Sequence, residues 1–203
     1  MWNYEKRLQF PVQIKTCCPK TASLIISQFG GPDGELSASM RYLSQRYSMP
    51  CRKTGGLLTD IGTEELAHME IICAMVYQLT KNMTAEDARA AGFDAYYVDH
   101  TSALWPAAAA GIPFNACEFQ SKGDAIADLT EDLAAEQKAR VTYENLLRII
   151  TDPDVRAPLT FLRARELVHF QRFGEALERI KTDLDSRNFY YFNSEFDRDL
   201  KKT

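Results

Sequence analysis

Glu65-Leu66-Ala67-His68 and Glu166-Leu167-Val168-His169 decide how this chain reads. Both are Glu-x-x-His, and the chain has only three histidines. On an α-helix residues i and i+3 share a face, so each carboxylate and imidazole can grip one metal ion together. A single pair also describes a core histidine beside a surface glutamate. Two pairs that use two of the three histidines shift the reading to metal.

The spacing around them repeats. Glu35 precedes Glu65 by 30 residues, and Glu136 precedes Glu166 by 30. A helical hairpin explains this: up one helix, through a turn, and back to the same level. The turns belong near Pro50 and Thr151, each 15 residues from both of its glutamates. At about 1.5 Å of rise per residue the arms match, and the side chains meet at one depth. One Glu from each of two helices and a Glu-x-x-His from each of the other two is the donor set of di-iron and di-manganese carboxylate bundles. Two divalent ions at close range repel strongly in a low-dielectric core, so several carboxylates must neutralise and bridge them. Buried carboxylates without such ions would be costly. Glutamates on solvated faces would not have the apolar flanks seen here.

Working outward, the chain reads as one all-α domain over 1–203. Residues 1–19, with Pro11 and Pro19, read as an extended arm. Helices are expected over 20–48, 50–80, 123–150 and 153–184. The first is disturbed at Gly30-Gly31-Pro32-Asp33-Gly34. Pro50 is placed to open the second at its first position. There Leu58, Ile61, Glu65, His68, Ile72 and Met75 keep one face. Gly55, Gly56 and Gly62 weaken helix propensity but allow a close neighbour. Asp152-Pro153-Asp154 stops one helix and starts the next, with Asp152 as N-cap. Residues 81–122 lack a sustained period and are long enough to cross from one end of a bundle to the other. Two helices, a long crossover and two more helices is the ferritin-like four-helix connectivity. The tail 185–203 mixes aromatics and charges and reads as a surface that packs on a neighbouring chain.

Other polar residues fall near the same plane. Tyr42 is seven residues after Glu35 and reaches a ligand carboxylate or lies as a satisfied core tyrosine. Arg140, four residues after Glu136, pairs with that glutamate or stays on the helix surface. His100 falls in the crossover and reads as a loop histidine.

Composition narrows the partners. Hydrophobic residues make up 45% and charged residues 26%, an ordinary globular balance. A net charge of −4 argues against nucleic acid, which needs a basic face. No apolar run approaches the roughly 18 residues of a membrane span. The start of the chain shows no secretion signal. The five cysteines, Cys17, Cys18, Cys51, Cys73 and Cys117, form no CxxC pair. They read as free thiols in a reducing, cytoplasmic setting. The other readings are a thiolate site or a redox role for Cys17 and Cys18.

Four stretches carry a resemblance: GGPDGEL around Glu35, TDIGTEELAHMEI around His68, DLAAEQKARVTYENLLR around Glu136, and RARELVHFQRFGEAL with the ERIKTDL that follows it. Together they resemble the manganese catalase family, over nearly the whole chain. The opening MWNYEKRLQFPVQIK and the short C-terminus look most like its spore-coat, CotJC-type branch.

The resemblance implies a dimanganese site that disproportionates hydrogen peroxide to water and oxygen, in a hexamer. It carries five ligands onto Glu35, Glu65, His68, Glu136 and His169. It makes Glu166 a proton-moving base rather than a ligand, where spacing alone gives six equivalent ligands. Glu65 and Glu136 are the expected bridges. Some members have a basic residue before the ligand matching Glu136; here it is Ala135. The rival readings are a structural coat protein that keeps the metals as a staple, contacting other coat proteins, and a di-iron oxidase. Oxygen and nitrogen donors suit manganese or iron.

Overall fold

The computed structural model describes residues 7–187. The first six residues and 188–203 lie outside it, and so does most of the tail expected to meet a neighbouring chain. The order is α1 (Pro19–Ile25), α2 (Ser27–Gly30), α3 (Glu35–Gln45), α4 (Arg52–Thr80), α5 (Ala85–Ala90), α6 (Asp94–His100), α7 (Ala125–Ile149) and α8 (Pro153–Arg187). Helix α3 packs on α4 and α7 on α8, and the hairpins meet through α3–α7 and α4–α8 contacts. This is the expected all-α, ferritin-like bundle.

The first expected helix is three pieces. Residues Gly31–Gly34 separate α2 from α3, so Glu35 becomes the first residue of α3. A carboxylate there faces the positive end of the helix dipole. Helix α4 starts at Arg52 with Cys51 as its N-cap, two residues later than Pro50 suggested. The second junction follows the sequence: the Asp152 carboxylate accepts from the Asp154 amide at 2.9 Å. Pro158 sits early in α8, still within its first turns.

The crossover is more ordered than its lack of period implied. Thr84 and Asp87 form a reciprocal capping box that opens α5. Phe93 and Tyr96 stack at 4.7 Å and are buried. The crossover docks at Gly30, where an added Cβ would stand 2.3 Å from the Ala107 nitrogen. Only glycine lets these backbones come so close. Gly62 does the same between α3 and α4, against Leu43. Gly56 has open space around it and serves no close approach.

The core forms two apolar clusters. One gathers Ile25, Ile72, Met75, Leu79, Tyr143, Leu159 and Leu162. The other gathers Tyr42, Leu58, Ile61, Leu129, Phe173 and Ile180. Full burial of such a side chain stabilises by about 1.5–3 kcal/mol. In α4 and α8 a polar layer falls between the two clusters, at residues 65–68 and 166–169.

Candidate metal centre

Glu35, Glu65, His68, Glu136, Glu166 and His169 are all buried. Their elements explain the convergence. Helix α3 offers Glu35 at its start, α7 offers Glu136 from its middle, and α4 and α8 each offer a Glu-x-x-His face.

Glu65 stands between the imidazoles. Its Oε2 lies 2.7 Å from His68 Nδ1, and its Oε1 lies 2.7 Å from His169 Nδ1. Glu35 approaches His68 Nδ1 at 3.8 Å, and Glu136 approaches His169 Nδ1 at 3.5 Å. The two rings are near-parallel with centroids 5.5 Å apart. Glu35 thus sits on the His68 side and Glu136 on the His169 side. The expectation that Glu136 bridges as Glu65 does is not reflected in this placement.

Glu166 completes the cluster. Donor atoms of Glu65, His68, Glu166 and His169 all lie within 4.8 Å of one another. Glu136 Oε2, Glu166 Oε1 and His68 Nε2 are buried without a hydrogen-bond partner, and so are Glu65 Oε1 and His169 Nδ1, whose 2.7 Å approach lacks hydrogen-bond geometry. Such groups are costly unless something satisfies them. A set of hard oxygen and imidazole donors turned on one another fits divalent cations.

Electrostatics point the same way. Burial drives the Glu35 carboxyl well above the usual range, and Glu65 adds to it. Burial does the same to Glu166, with Glu136 and Glu35 adding, and it also raises Glu136, with Glu65 adding. Burial opposes charge on the imidazoles, but Glu65, Glu64 and Glu35 together outweigh it and push His68 up to about 10. For His169, burial is outweighed by Glu65, Glu136 and Glu64 together, which push it up to about 12. Burial also opposes charge on Glu65, but the two histidines hold it well below the carboxylate range. Protons therefore balance the charge of this cluster. Divalent ions would displace them, so metal binding is expected to release protons.

Two tyrosines cross between the hairpins. Tyr42 donates to Glu136, and Tyr143 donates to Glu35. The sequence points to Tyr42 near this plane; it does not single out Tyr143. Its signal was present, since Tyr143 follows Glu136 by seven residues as Tyr42 follows Glu35. Arg140 does not pair with Glu136. It bonds Gln137 at 2.9 Å and Glu144 at 2.6 Å. Glu136 faces inward to Tyr42, while Glu144 lies at the half-exposed edge where a guanidinium keeps its water.

Glu64 was also missed. Its Oε2 lies 3.1 Å from His169 Nε2 and its Oε1 lies 3.6 Å from His68 Nε2. Arg165 donates Nε to Oε1 at 2.7 Å and Nη2 to Oε2 at 3.1 Å. His100 stands apart in α6, stacked against Trp105 at 6.0 Å. The five cysteines are free thiols.

Residues 1–190 match the family model of manganese-containing catalases. The chain belongs to the manganese catalase family. It is 55% identical to Protein CotJC of Bacillus subtilis over 190 residues, 94% of this chain and 100% of that protein. It is 37% identical to a probable manganese catalase of Clostridium acetobutylicum, covering 93% of this chain and 85% of the relative. The crystal structure of KatB, a manganese catalase from Anabaena, superposes with a TM-score of 0.83 at 30% identity. That match covers 89% of this chain and 81% of KatB. The family implies a dimanganese cofactor, and the buried Glu/His cluster has the donors to hold it. No described helix is long and apolar enough to cross a membrane.

Proposed function

We propose that this family member is a dimanganese catalase that converts hydrogen peroxide to water and oxygen. The observation that carries the reading is Glu65 set 2.7 Å from one nitrogen of each imidazole, with one further carboxylate beside each ring. Glu35 and His68 would hold one ion, Glu136 and His169 the other, and Glu65 would be shared. When bound, the manganese pair supplies two-electron redox chemistry by cycling between the 2+ and 3+ states.

The chain's own part is proton handling and orientation. Oxidising peroxide to oxygen releases two protons, and reducing a second peroxide to two waters consumes two. Glu166 is buried beside the ligand carboxylates with Oε1 unpartnered. It would take a proton from a peroxide oxygen and return it, and burial with the neighbouring carboxylates raises its pKa. Tyr42 and Tyr143 fix the carboxylates of Glu136 and Glu35. The apolar clusters on either side exclude water.

Protein loaded with manganese should bind two ions per chain and evolve one oxygen for every two peroxides, measured with an oxygen electrode. Loaded protein that evolves none would favour the rival reading, a structural role with the metals as a staple. Two irons per chain in protein from its native source would favour the di-iron reading. By its likeness to Protein CotJC and the resemblance of its opening, the coat of a spore is the proposed location; by its family, a hexamer is the proposed assembly.

A further inference from the structure

We infer that Glu64 is a positioning residue for the whole metal pair: one carboxylate that orients both ligand imidazoles from behind. The inference rests on the dimetal reading of the cluster and extends it to a residue outside the ligand set.

Each imidazole has two nitrogens with separate tasks. Nδ1 of both rings faces Glu65 and the central donors. Nε2 of both rings faces Glu64, one carboxylate oxygen to each: Oε2 to His169 at 3.1 Å, and Oε1 to His68 at 3.6 Å. The first is a hydrogen bond; the second is a longer ion-pair contact, and His68 Nε2 has no other hydrogen-bond partner. A carboxylate can only accept. With metals bound, both rings would be held as the tautomer with hydrogen on Nε2, leaving each Nδ1 lone pair to an ion. A ligand histidine almost always gives its other N–H to such a partner, which fixes the ring and strengthens it as a donor. Here one partner serves two ligands.

Glu64 is itself held by two further side chains. Arg165 grips both oxygens as a fork, which favours the carboxylate and fixes its plane. Gln9, from the N-terminal arm, donates to Oε1 at 2.8 Å. Beside it Phe10 stacks on Phe161 at 4.9 Å, and Phe161 meets the His68 ring edge-on at 6.3 Å. The arm is therefore part of the support behind the histidines.

Glu64→Gln tests this by a signature that a merely structural residue would not give. An amide has one acceptor and one donor, so it can satisfy one ring and must oppose the other. Manganese titration followed by calorimetry and metal analysis should show one site near wild-type affinity and the other weakened about 10- to 100-fold. Electron paramagnetic resonance should show the spin-coupled pair replaced by isolated manganese at limiting metal. Arg165→Met keeps the carboxylate and removes its fork, and should weaken both sites together by a smaller factor; it also serves if Glu64→Gln does not fold. Two wild-type affinities and an unchanged spin-coupled spectrum in Glu64→Gln, or in Arg165→Met should it be the one that folds, would overturn the inference. A wild-type protein that binds no manganese would instead overturn the dimetal reading itself, and the inference with it.

Discussion

The two helical hairpins carry the same residues at a constant offset of 101 positions: Glu35 and Glu136, Tyr42 and Tyr143, Glu65 and Glu166, His68 and His169. The tyrosines exploit the symmetry, since each donates to the glutamate of the opposite hairpin. The site is nevertheless asymmetric. Glu65 sets an oxygen 2.7 Å from each imidazole, whereas Glu166 lies only within 4.8 Å of the same donors. The same offset carries Glu64 onto Arg165, and these two oppositely charged residues bind one another across the hairpins. A repeated motif thus supplies two equal metal sides, and the departures from the repeat supply a bridge, a candidate base and a support.

The sharpest way to break that comparison is to neutralise its two unequal members. Glu65→Gln should lose most bound manganese and nearly all turnover. Glu166→Gln should keep both ions and lower turnover about 10²- to 10⁴-fold. Metal analysis beside an oxygen-electrode assay separates them. Equal metal loss in both variants would restore six equivalent ligands.

The metal-free protein offers a second probe, through pH. The folded-state pKa values of His68 and His169 are raised, so their contribution is complete below the unfolded value near 6.5. It is lost as pH rises through about 10 for His68 and about 12 for His169. Glu35, Glu136 and Glu166 are also raised and act with the same sign, starting from lower pH. Denaturant midpoints of metal-free protein should therefore fall as pH rises from neutral. The manganese-loaded protein should be more stable, by a margin that widens with pH. A margin that narrows on raising pH would contradict proton-balanced charge in this cluster.

Smaller effects test the symmetric part. Tyr42→Phe and Tyr143→Phe each leave a buried carboxylate oxygen short of a donor and should each cost about 1–3 kcal/mol in unfolding free energy. Similar costs would support the repeat; a large inequality would show that the hairpins have diverged here too. Smaller still is a contrast within α4. Gly62→Ala meets Leu43 Cγ at 2.9 Å, and that overpacking should destabilise by about 1–3 kcal/mol. Gly56→Ala meets open space and should stabilise by about 0.5–1 kcal/mol.

The spacing of Glu35, Glu65, Glu136 and Glu166 made the bundle and its donors legible, because a helix converts residue number into depth. Helix starts were less so. Pro50 gave a sound local argument, but the cap fell at Cys51. The crossover hid α5 because its signal is a cap, Thr84 with Asp87, rather than a period. Arg140 lies at the right spacing for Glu136, yet Tyr42 already meets that carboxylate in the core and Glu144 lies nearer water. Glu64 was hidden beside Glu65, because adjacent helical residues point about 100° apart and only the packing of α8 shows that both face the histidines.

The shared carboxylate is the centre of the account, and anomalous diffraction at the manganese edge of a loaded crystal tests it most directly. Two peaks are expected, one by Glu35 and His68 and one by Glu136 and His169, with Glu65 bound to both and Glu166 to neither. A single peak, or two ions joined through Glu166 with Glu65 free, would contradict it.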